Sequence, residues 1–290
     1  MTAPKRHITI SGELGSGKST VADRLARMYG HRLVSAGNIN RAIAADRNLS
    51  EVDLNLLAET DQSIDAQVDS ETRRLATDGH PAVFDGHIAW RIVDDAFKVH
   101  LLIDPDVAAG RLYASRASAV EHYGSVDEAK AALEKRYASE RRRYRARFGV
   151  DEARLENYDL VIDTSDATVE QIIDAIRLVY EGEAREELII MASPRRLLPG
   201  YDVVSDRRSS QWNIPHPEVA YCRPYMCFCN GHLRIAKAIE SEDPFIDVRL
   251  RAEDNGELEP GVSAKDCLGH ISPEWVESWS QKYSLDLRTP

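Results

Sequence analysis

A glycine-rich segment near the N-terminus has the residue types and the spacing of a phosphate-binding loop. The stretch SGELGSGKST fits the pattern G-x-x-x-x-G-K-[ST] at every fixed position, and it lies between an apolar strand pattern and a helical pattern. Glycines let backbone amides turn toward phosphate oxygens, and the N-terminus of the following helix adds partial positive charge. We expect the loop to bind the phosphates of ATP through Gly12, Gly15, Ser16, Gly17, Lys18, Ser19 and Thr20.

Two side chains of this loop have a chemical role beyond binding. Lys18 is spaced to reach the β- and γ-phosphates, where a cation stabilises the charge that develops during phosphoryl transfer. Ser19 supplies a hydroxyl of the kind that coordinates Mg²⁺ beside nucleotide phosphates. The sequence therefore predicts ATP and Mg²⁺ as cofactors, with Lys18 as a catalytic residue and Ser19 as a metal ligand.

The segment AVFDG indicates what happens to the terminal phosphate. Asp85 ends this strand pattern and Gly86 follows it, whereas motor and remodelling ATPases usually have a glutamate there that polarises water. The guanine-reading pattern N-K-x-D of switch GTPases does not occur in the sequence. Transfer of the phosphoryl group to a bound acceptor is therefore favoured over hydrolysis.

These motifs lie in a region where strand and helix patterns alternate. Five short apolar runs, HITISG, RLVSAG, PAVFDG, FKVHLLIDP and YDLVIDTS, are separated by helical patterns that include 50–78, 105–118, 126–147 and 168–180. This alternation predicts an α/β fold with a parallel five-stranded sheet covered by helices on both faces.

The pattern changes near residue 183, where proline, glycine and cysteine become denser. LIIMAS and FIDVRLRAED predict strands, and HLRIAKAIESED and SPEWVESWSQKYS predict helices. The sequence thus predicts two domains, a P-loop kinase-like domain over 1–182 and a small α+β domain over 183–290.

Composition limits the partners and the location. The 290 residues have a formal net charge of −11, which opposes broad binding to nucleic acid or to anionic membranes. The sequence contains neither an apolar stretch long enough to span a membrane nor the apolar region of a signal peptide. We expect a cytoplasmic protein without a membrane partner. Nucleic acid is not an expected partner, although the second domain leaves such binding open.

Five stretches in order make a more specific pattern than the phosphate loop alone. ITISGELGSGKST, RLVSAGNINRAIA, DQSIDAQVDSETRRLA, ASERRRYRARFGVD and YDLVIDTS resemble the archaeal-type cytidylate kinases, the cytidylate kinase-like family, over residues 6–180. The resemblance implies a P-loop nucleoside monophosphate kinase that transfers phosphate from ATP to CMP or dCMP, or to a similar small phosphorylated acceptor.

The same resemblance implies an acceptor site formed by Ser35, Gly37, Arg41, Asp65, Asp85, Gly86 and His87. Arg41 would clamp the acceptor phosphate, for which a bidentate guanidinium is suited. Asp65 would accept a hydrogen bond from a base amino group. The alternatives are a solvated arginine and a solvated acidic face. The family tends to have arginine after D-G; His87 is shorter and only partly charged near neutral pH, which leaves the acceptor's identity open.

An arginine-rich segment, KRYASERRRYRAR, resembles the lid helix of such kinases. Lid arginines fold over the phosphates and neutralise charge on the transferring group, so the resemblance implies catalytic roles for Arg136, Arg142 and Arg143. Arg116, from the preceding helical pattern, is a further candidate. Pairing with the acidic surface and a basic patch for nucleic acid are the alternatives. The resemblance also puts Asp163, Thr164 and Ser165 near the adenine.

The second domain resembles ParB-like domains over about 190–252. CNGHLRIAKAIESEDPFIDVRL matches a D-G-H-x-R type turn that opens a helix, although Asn230 replaces the usual aspartate. His232 and Arg234 have two interpretations, phosphate binding or helix capping and packing. Four cysteines with nearby histidines allow a zinc site, but their C-x4-C-x-C spacing is equally typical of small buried side chains.

Three functions are compatible with these patterns. A nucleoside monophosphate kinase is the interpretation that gives a role to the largest number of these residues. A P-loop kinase of another small-molecule acceptor in a specialised pathway is the first alternative, suggested by His87 and the second domain. A nucleotide-sensing regulatory or DNA-associated protein is the second.

Overall fold

The computed structural model describes residues 7–58, 61–114, 123–182, 188–201 and 215–287. The chain forms two compact units, Met1–Leu160 with Val169–Glu186, and Val161–Thr168 with Glu187–Pro290. The predicted domain boundary at residue 182 stays a prediction, because compactness does not test whether either part folds alone.

The first unit alternates strands and helices. Its strands are β1 (His7–Gly12), β2 (Arg32–Ser35), β3 (Ala82–Asp85) and β4 (Ala96–Leu102), and β5 (Leu160–Asp163) begins in it. Its helices are α1 (Lys18–Tyr29), α2 (Ala36–Asp46), α3 (Glu51–Ala58), α4 (Gln62–Ala76), α5 (Ala89–Ile92), α6 (Pro105–Ala114), α7 (Val126–Phe148) and α8 (Val169–Tyr180), with a short 3-10 helix at Leu155–Asn157.

The strands of this unit form a parallel sheet. Its order is β2-β3-β1-β4, and β1 pairs in parallel with both β3 and β4. The chain enters β5 beside β4, where the Asp159 amide donates to the Lys98 carbonyl at 2.9 Å. Every residue of β3 is buried, as expected of a strand covered on both faces. The predicted α/β class with a mostly parallel sheet is confirmed.

One predicted helical stretch, 50–78, differs in the structure. It contains two helices, α3 and α4, and Asp61 accepts a hydrogen bond from the Ser63 amide at 2.9 Å. This capping bond starts a new helix, because it satisfies a backbone donor that has no partner within the helix. Asp65 and Asp69 therefore follow a cap and lie on α4.

The second unit holds the remaining residues of β5 and the elements after it. These are β6 (Ile189–Ala192), β7 (Leu198–Pro199), β8 (Glu218–Cys222), β9 (Tyr225–Phe228), α9 (His232–Glu240), β10 (Ile246–Glu253), β11 (Glu257–Glu259), β12 (Val262–Ser263), α10 (Ala264–Gly269) and α11 (Pro273–Tyr283), with a 3-10 helix at Pro194–Arg196. The predicted β6, α9, β10 and α11 form. The antiparallel pair β8 and β9 was not predicted, because its apolar run is interrupted at Arg223–Pro224.

The core of the second unit combines strands and helices. Leu198, Ala220 and Ala252 from strands pack with Leu268 of α10 and Val276 of α11. Ser272 caps α11 and Pro273 occupies its first turn, as predicted. Within the described ranges, no helix is long and apolar enough to cross a bilayer.

Candidate active site

The phosphate loop connects β1 to α1 in a form that requires glycine. A side chain at Gly12 would collide with the backbone of Leu101, and Gly17 caps α1 in the left-handed conformation at φ 89°. Both conditions exclude ordinary L-residues. The loop can therefore approach a ligand with its backbone, which is what phosphate binding at a helix N-terminus needs.

The carbonyl of Glu13 organises the centre of this loop. It accepts hydrogen bonds from the Ser16 amide at 3.2 Å, the Ser16 hydroxyl at 2.7 Å and the Lys18 ammonium at 2.9 Å. Burial lowers the pKa of Lys18, while the nearby Asp85 carboxylate opposes that shift. Lys18 is thus held beside the loop by a neutral acceptor that an anionic phosphate would readily outcompete.

Ser19 and Asp85 bring two oxygen donors together at the edge of the sheet. The Ser19 hydroxyl donates to Asp85 Oδ2 at 2.7 Å, joining the start of α1 to the end of β3. Hydroxyl and carboxylate oxygens are the hard ligands that Mg²⁺ prefers. Across the described parts of the chain, no three His, Cys, Asp or Glu side chains are arranged around one ion. Mg²⁺ sites on nucleotides do not require such a set, because phosphates and water supply the other ligands.

A cavity of about 350 Å³ opens next to Lys18 and Ser19. It is bordered by the phosphate loop, α2, α4, the segment after β3 and α7. Of the predicted site residues, the cavity is lined by Lys18, Ser19, Ser35, Gly37, Arg41, Asp65, Asp85, Gly86, His87, Arg136 and Arg143. Residues from five separate stretches of the sequence therefore meet at one cavity.

Of the predicted lid residues that the structure describes, Arg142 does not line this cavity. Arg142 lies on α7 with an exposed side chain, because its position on the helix is rotated away from the face that carries Arg136 and Arg143. Arg116 falls outside the described residues. Its role, like that of Arg142, stays a prediction.

His87, Glu140 and Arg136 line the cavity and interact electrostatically with Lys18. Glu140 accepts a hydrogen bond from Arg136 Nε at 3.0 Å, and its other oxygen lies 3.8 Å from His87 Nε2. Burial, reinforced by Lys18, lowers the pKa of His87 to about 4. Burial opposes ionisation of Glu140, but the positive charges around it, which at neutral pH are those of Arg136 and Lys18, outweigh burial and lower the pKa of this carboxyl. His87 is therefore neutral at physiological pH, rather than partly charged as the sequence suggests.

A second ionic cluster closes the cavity between α4 and α7. Arg147 donates to Asp69 Oδ2 at 2.6 Å and lies 3.4 Å from Asp65 Oδ2, while Arg143 Nε is 4.0 Å from the same oxygen of Asp65. These side chains are at most 30% exposed. Burial raises the pKa of Asp69, and Arg147 opposes the shift. Asp65 and Asp69 both line the cavity.

Comparison with known proteins identifies the family of the chain. The model of the cytidylate kinase-like family matches residues 7–166, more than half of the chain. The chain belongs to the cytidylate kinase-like family. It is 38% identical to a cytidylate kinase of Methanothrix thermoacetophila, over 54% of this chain and 87% of that protein. It is 37% identical to a cytidylate kinase of Aeropyrum pernix, over 62% of this chain and 99% of that protein.

Similarity to solved structures is weaker. A shikimate kinase from Bacteroides thetaiotaomicron aligns over 61% of this chain and 99% of that chain, with a TM-score of 0.46 and 14% identity. A similarity this low supports no argument about a substrate. The predicted resemblance to the cytidylate kinase-like family is confirmed, whereas the ParB-like resemblance of the second domain stays a prediction.

The cavity of this cytidylate kinase-like protein also contains residues that the sequence did not single out. Glu140, Tyr144 and Phe148 line it from α7, and Thr72 lines it from α4. Helical spacing from Arg136 would have pointed to Glu140 and Tyr144, since they follow at four and eight positions. Glu140 also places a carboxylate at the cavity, although the residue directly after Asp85 is a glycine and not the glutamate of hydrolysing ATPases.

Proposed function

We propose that this protein transfers the γ-phosphoryl group of ATP to CMP or dCMP and releases the nucleoside diphosphate. The observation that carries the proposal is one cavity that joins the phosphate loop to the carboxylates of Asp65 and Asp69. The similarity to proteins named cytidylate kinase supports the same substrate.

The carboxylates favour cytosine over uracil. Cytosine carries an exocyclic amine at C4, which donates hydrogen bonds, whereas uracil carries an oxygen there, which accepts them. Asp65 and Asp69 engage Arg147 through Oδ2, so that each keeps a second carboxylate oxygen for a donor. A carboxylate beside the uracil oxygen would set two acceptors against each other, which is unfavourable in a partly buried site.

Three arginines are candidates to bind the acceptor phosphate. Arg41, Arg136 and Arg143 line the same cavity as the carboxylates and Lys18. A guanidinium binds a phosphate through two parallel hydrogen bonds, which orients it for in-line attack on the γ-phosphorus. His87 contributes a neutral imidazole beside these arginines. We assign it a hydrogen-bonding role rather than a share of the positive charge.

ATP and Mg²⁺ belong to the proposal as the phosphoryl donor and its metal ion. The pair Ser19 and Asp85 fits Mg²⁺, because both offer hard oxygen atoms 2.7 Å apart next to the phosphate loop. Bound Mg²⁺ would neutralise charge on the phosphate oxygens. The residues themselves do the remaining work: loop amides hold the phosphates, and Lys18 leaves the Glu13 carbonyl to contact the transferring group.

A coupled assay of ADP release tests the proposal. We expect turnover with CMP and dCMP, little with UMP, AMP or GMP, and loss of activity when EDTA removes the metal. Lys18→Ala should lower kcat by about 10²- to 10³-fold, the loss that follows removal of one transition-state cation or donor. Turnover of none of these nucleotides would contradict the proposal and would favour another small-molecule acceptor. ATP consumption stimulated by DNA would instead favour a regulatory protein.

For the second domain we propose an accessory, ParB-like role, with His232 and Arg234 as candidate phosphate ligands. Tyr201 lies 2.8 Å from His232 Nδ1, so this histidine is already oriented by a neighbour. A cytoplasmic location is part of the proposal, because ATP and CMP are made and used there. Comparing the acceptor panel for the full chain and the 1–182 fragment tests whether the second domain changes substrate choice.

A further inference from the structure

Three cysteines of the second unit form a cluster that the kinase chemistry does not use. Cys227 lies on β9 and is fully buried, while Cys267 lies on α10 and is partly exposed. Their sulfur atoms are 3.7 Å apart, which is within hydrogen-bond distance for thiols. Cys229, two positions along from Cys227, interacts with both of them. We call these three residues the thiol cluster.

The surroundings of the thiol cluster separate a protected sulfur from accessible ones. Leu198, Ala220 and Leu268 pack around Cys227 and leave it no exposed surface. Cys229 and Cys267 lie at the edge of the same apolar core and are partly exposed. Cys229 and Cys267 are therefore partly accessible to a small oxidant from solvent, whereas Cys227 is buried next to the Cys267 sulfur.

The hydrogen bonds within the cluster distinguish the sulfurs chemically as well. Thiols of Cys227 and Cys229 stabilise a thiolate at Cys267 and lower its pKa, and the same contacts raise the pKa of Cys227. The thiolate is the form that reacts with peroxides, and an exposed thiolate next to a second thiol is typical of redox-sensitive cysteines. Exposure separates Cys229 and Cys267 from the buried Cys227, and the contact with the Cys227 sulfur and the lowered pKa then select Cys267 as the first sulfur to be oxidised.

We propose that Cys267 and Cys227 form a reversible, peroxide-oxidised thiol pair. The Cys267 thiolate attacks one oxygen of hydrogen peroxide and the O–O bond breaks, which gives a sulfenic acid and hydroxide. The hydroxide takes up a proton from solvent, equivalent to the one that the Cys267 thiol released on ionising, and becomes water. The Cys227 thiol then attacks the sulfenic sulfur, loses its proton, and displaces the hydroxyl as a second water. Overall, two thiols and one hydrogen peroxide give one disulfide and two waters, with both sulfurs oxidised and the peroxide reduced.

The geometry suits this bond better than a metal site. The sulfurs must approach from 3.7 Å to about 2 Å, a movement that side-chain rotation and a small shift of α10 can supply. Within the described residues, no three Cys, His, Asp or Glu side chains surround a common point for a metal ion. The zinc alternative raised by the cysteine spacing is therefore not supported.

The bond would join two elements that are distant in sequence. Cys227 and Cys267 are 40 positions apart, so the disulfide would restrict a long loop of the unfolded chain. Oxidation should consequently raise the unfolding temperature of the full chain, and reduction with dithiothreitol should return it to the starting value.

Peptide mapping of the full-length protein tests the proposal. The reduced protein is treated with a small excess of hydrogen peroxide, its remaining thiols are blocked with N-ethylmaleimide, and its peptides are identified by mass spectrometry without reduction. We expect one linked peptide pair joining Cys227 to Cys267, lighter than the two separate peptides by two hydrogens and released by dithiothreitol. Four blocked thiols, a link between other cysteines, or irreversibly oxidised Cys267 without a link would overturn the proposal.

Variants sharpen the assignment. Cys267→Ser should abolish the link, whereas Cys229→Ser should keep it. Cys222→Ser is the matched control, because Cys222 packs against the same apolar core and should leave the link unchanged. The wild-type peptide map decides the question even where a variant folds poorly. A disulfide between Cys227 and Cys229 in the Cys267→Ser variant would show that Cys227 can pair without Cys267. That result would contradict the proposed pair.

Discussion

Asp69 is the residue with which the proposed choice of cytosine can be tested most directly. Its carboxylate lines the cavity and is held by Arg147 at 2.6 Å. Asp69→Asn replaces the carboxylate with a neutral amide. The amide can donate an N–H group to the oxygen of uracil, but the negative charge that attracts the cytosine amine is lost. We expect kcat/KM for CMP to fall by about 10- to 100-fold, as for a lost charge-assisted hydrogen bond, and UMP to become the relatively better substrate.

Asp61→Asn is the matched control for this measurement. Asp61 lies on the same helix but caps its start instead of facing the cavity, and asparagine retains a capping oxygen. Its steady-state kinetics should match those of the wild type. An equal loss with CMP and UMP in Asp69→Asn would show that the carboxylate acts through structure, not through the base.

His87 links the site to the pH dependence of stability. Its pKa is lowered to about 4 by burial in the folded state, against about 6.5 in an unfolded chain. Between these values the unfolded chain binds more protons, so the free energy of unfolding rises with pH and levels off above about 6.5. His87→Asn removes this contribution. Between pH 7.5 and pH 5, the wild type should lose about 1–2 kcal/mol more than the variant in urea unfolding.

An exposed histidine provides the comparison for that experiment. His80 has a side chain that is 78% exposed, and His80→Asn should leave the pH dependence of unfolding close to that of the wild type. If His87→Asn and the wild type lose equal stability at pH 5, then His87 is protonated in the folded protein and belongs with the cationic residues.

At the scale of single elements, the C-terminal end of α7 is fixed by one carboxylate. Asp151 accepts hydrogen bonds from Arg141 at 2.8 and 2.5 Å, and it also pairs with Arg145. Burial opposes ionisation of Asp151, but these bonds outweigh it and lower the pKa. Asp151→Asn should reduce the free energy of unfolding by about 2 kcal/mol in urea titrations. Glu156→Gln, in an exposed pair with Arg154, should change it by less than about 0.5 kcal/mol.

The sequence predicts elements better than it predicts their contacts. The phosphate loop and the parallel strands follow from local patterns, because glycine spacing and apolar runs directly reflect backbone conformation and burial. Arg147 and Asp69 are 78 positions apart, and no local periodicity relates them. The same limit explains Arg142: a run of arginines predicts a basic helix, but only the packing of α7 decides which of them face the cavity.

At the scale of the molecule, Arg196 shows why a boundary at residue 182 divides a set of interacting residues. Val161–Thr168 belong to the same compact unit as the chain after Glu187. Arg196 donates to both oxygens of the buried Asp163, at 3.2 and 3.1 Å, and to the Ser165 hydroxyl at 2.6 Å. The strand end that the family resemblance puts near the adenine is therefore paired with a residue beyond the predicted first domain.

Removal of Arg196 should leave the Asp163 carboxylate buried without its cation. We expect Arg196→Ala to lower the free energy of unfolding by about 3 kcal/mol, since uncompensated buried charges are strongly destabilising. Arg195→Ala, at the neighbouring arginine, is the control and should change it by less than about 0.5 kcal/mol.

The 1–182 fragment lacks Arg196 and should unfold at a lower urea concentration than the full chain. In the fragment, Asp163→Asn should recover part of that loss, because the amide needs no cation. A fragment that gains nothing from Asp163→Asn would mean that water solvates this carboxylate once Arg196 is gone, and that the lost ion pair does not cause the lower stability of the fragment.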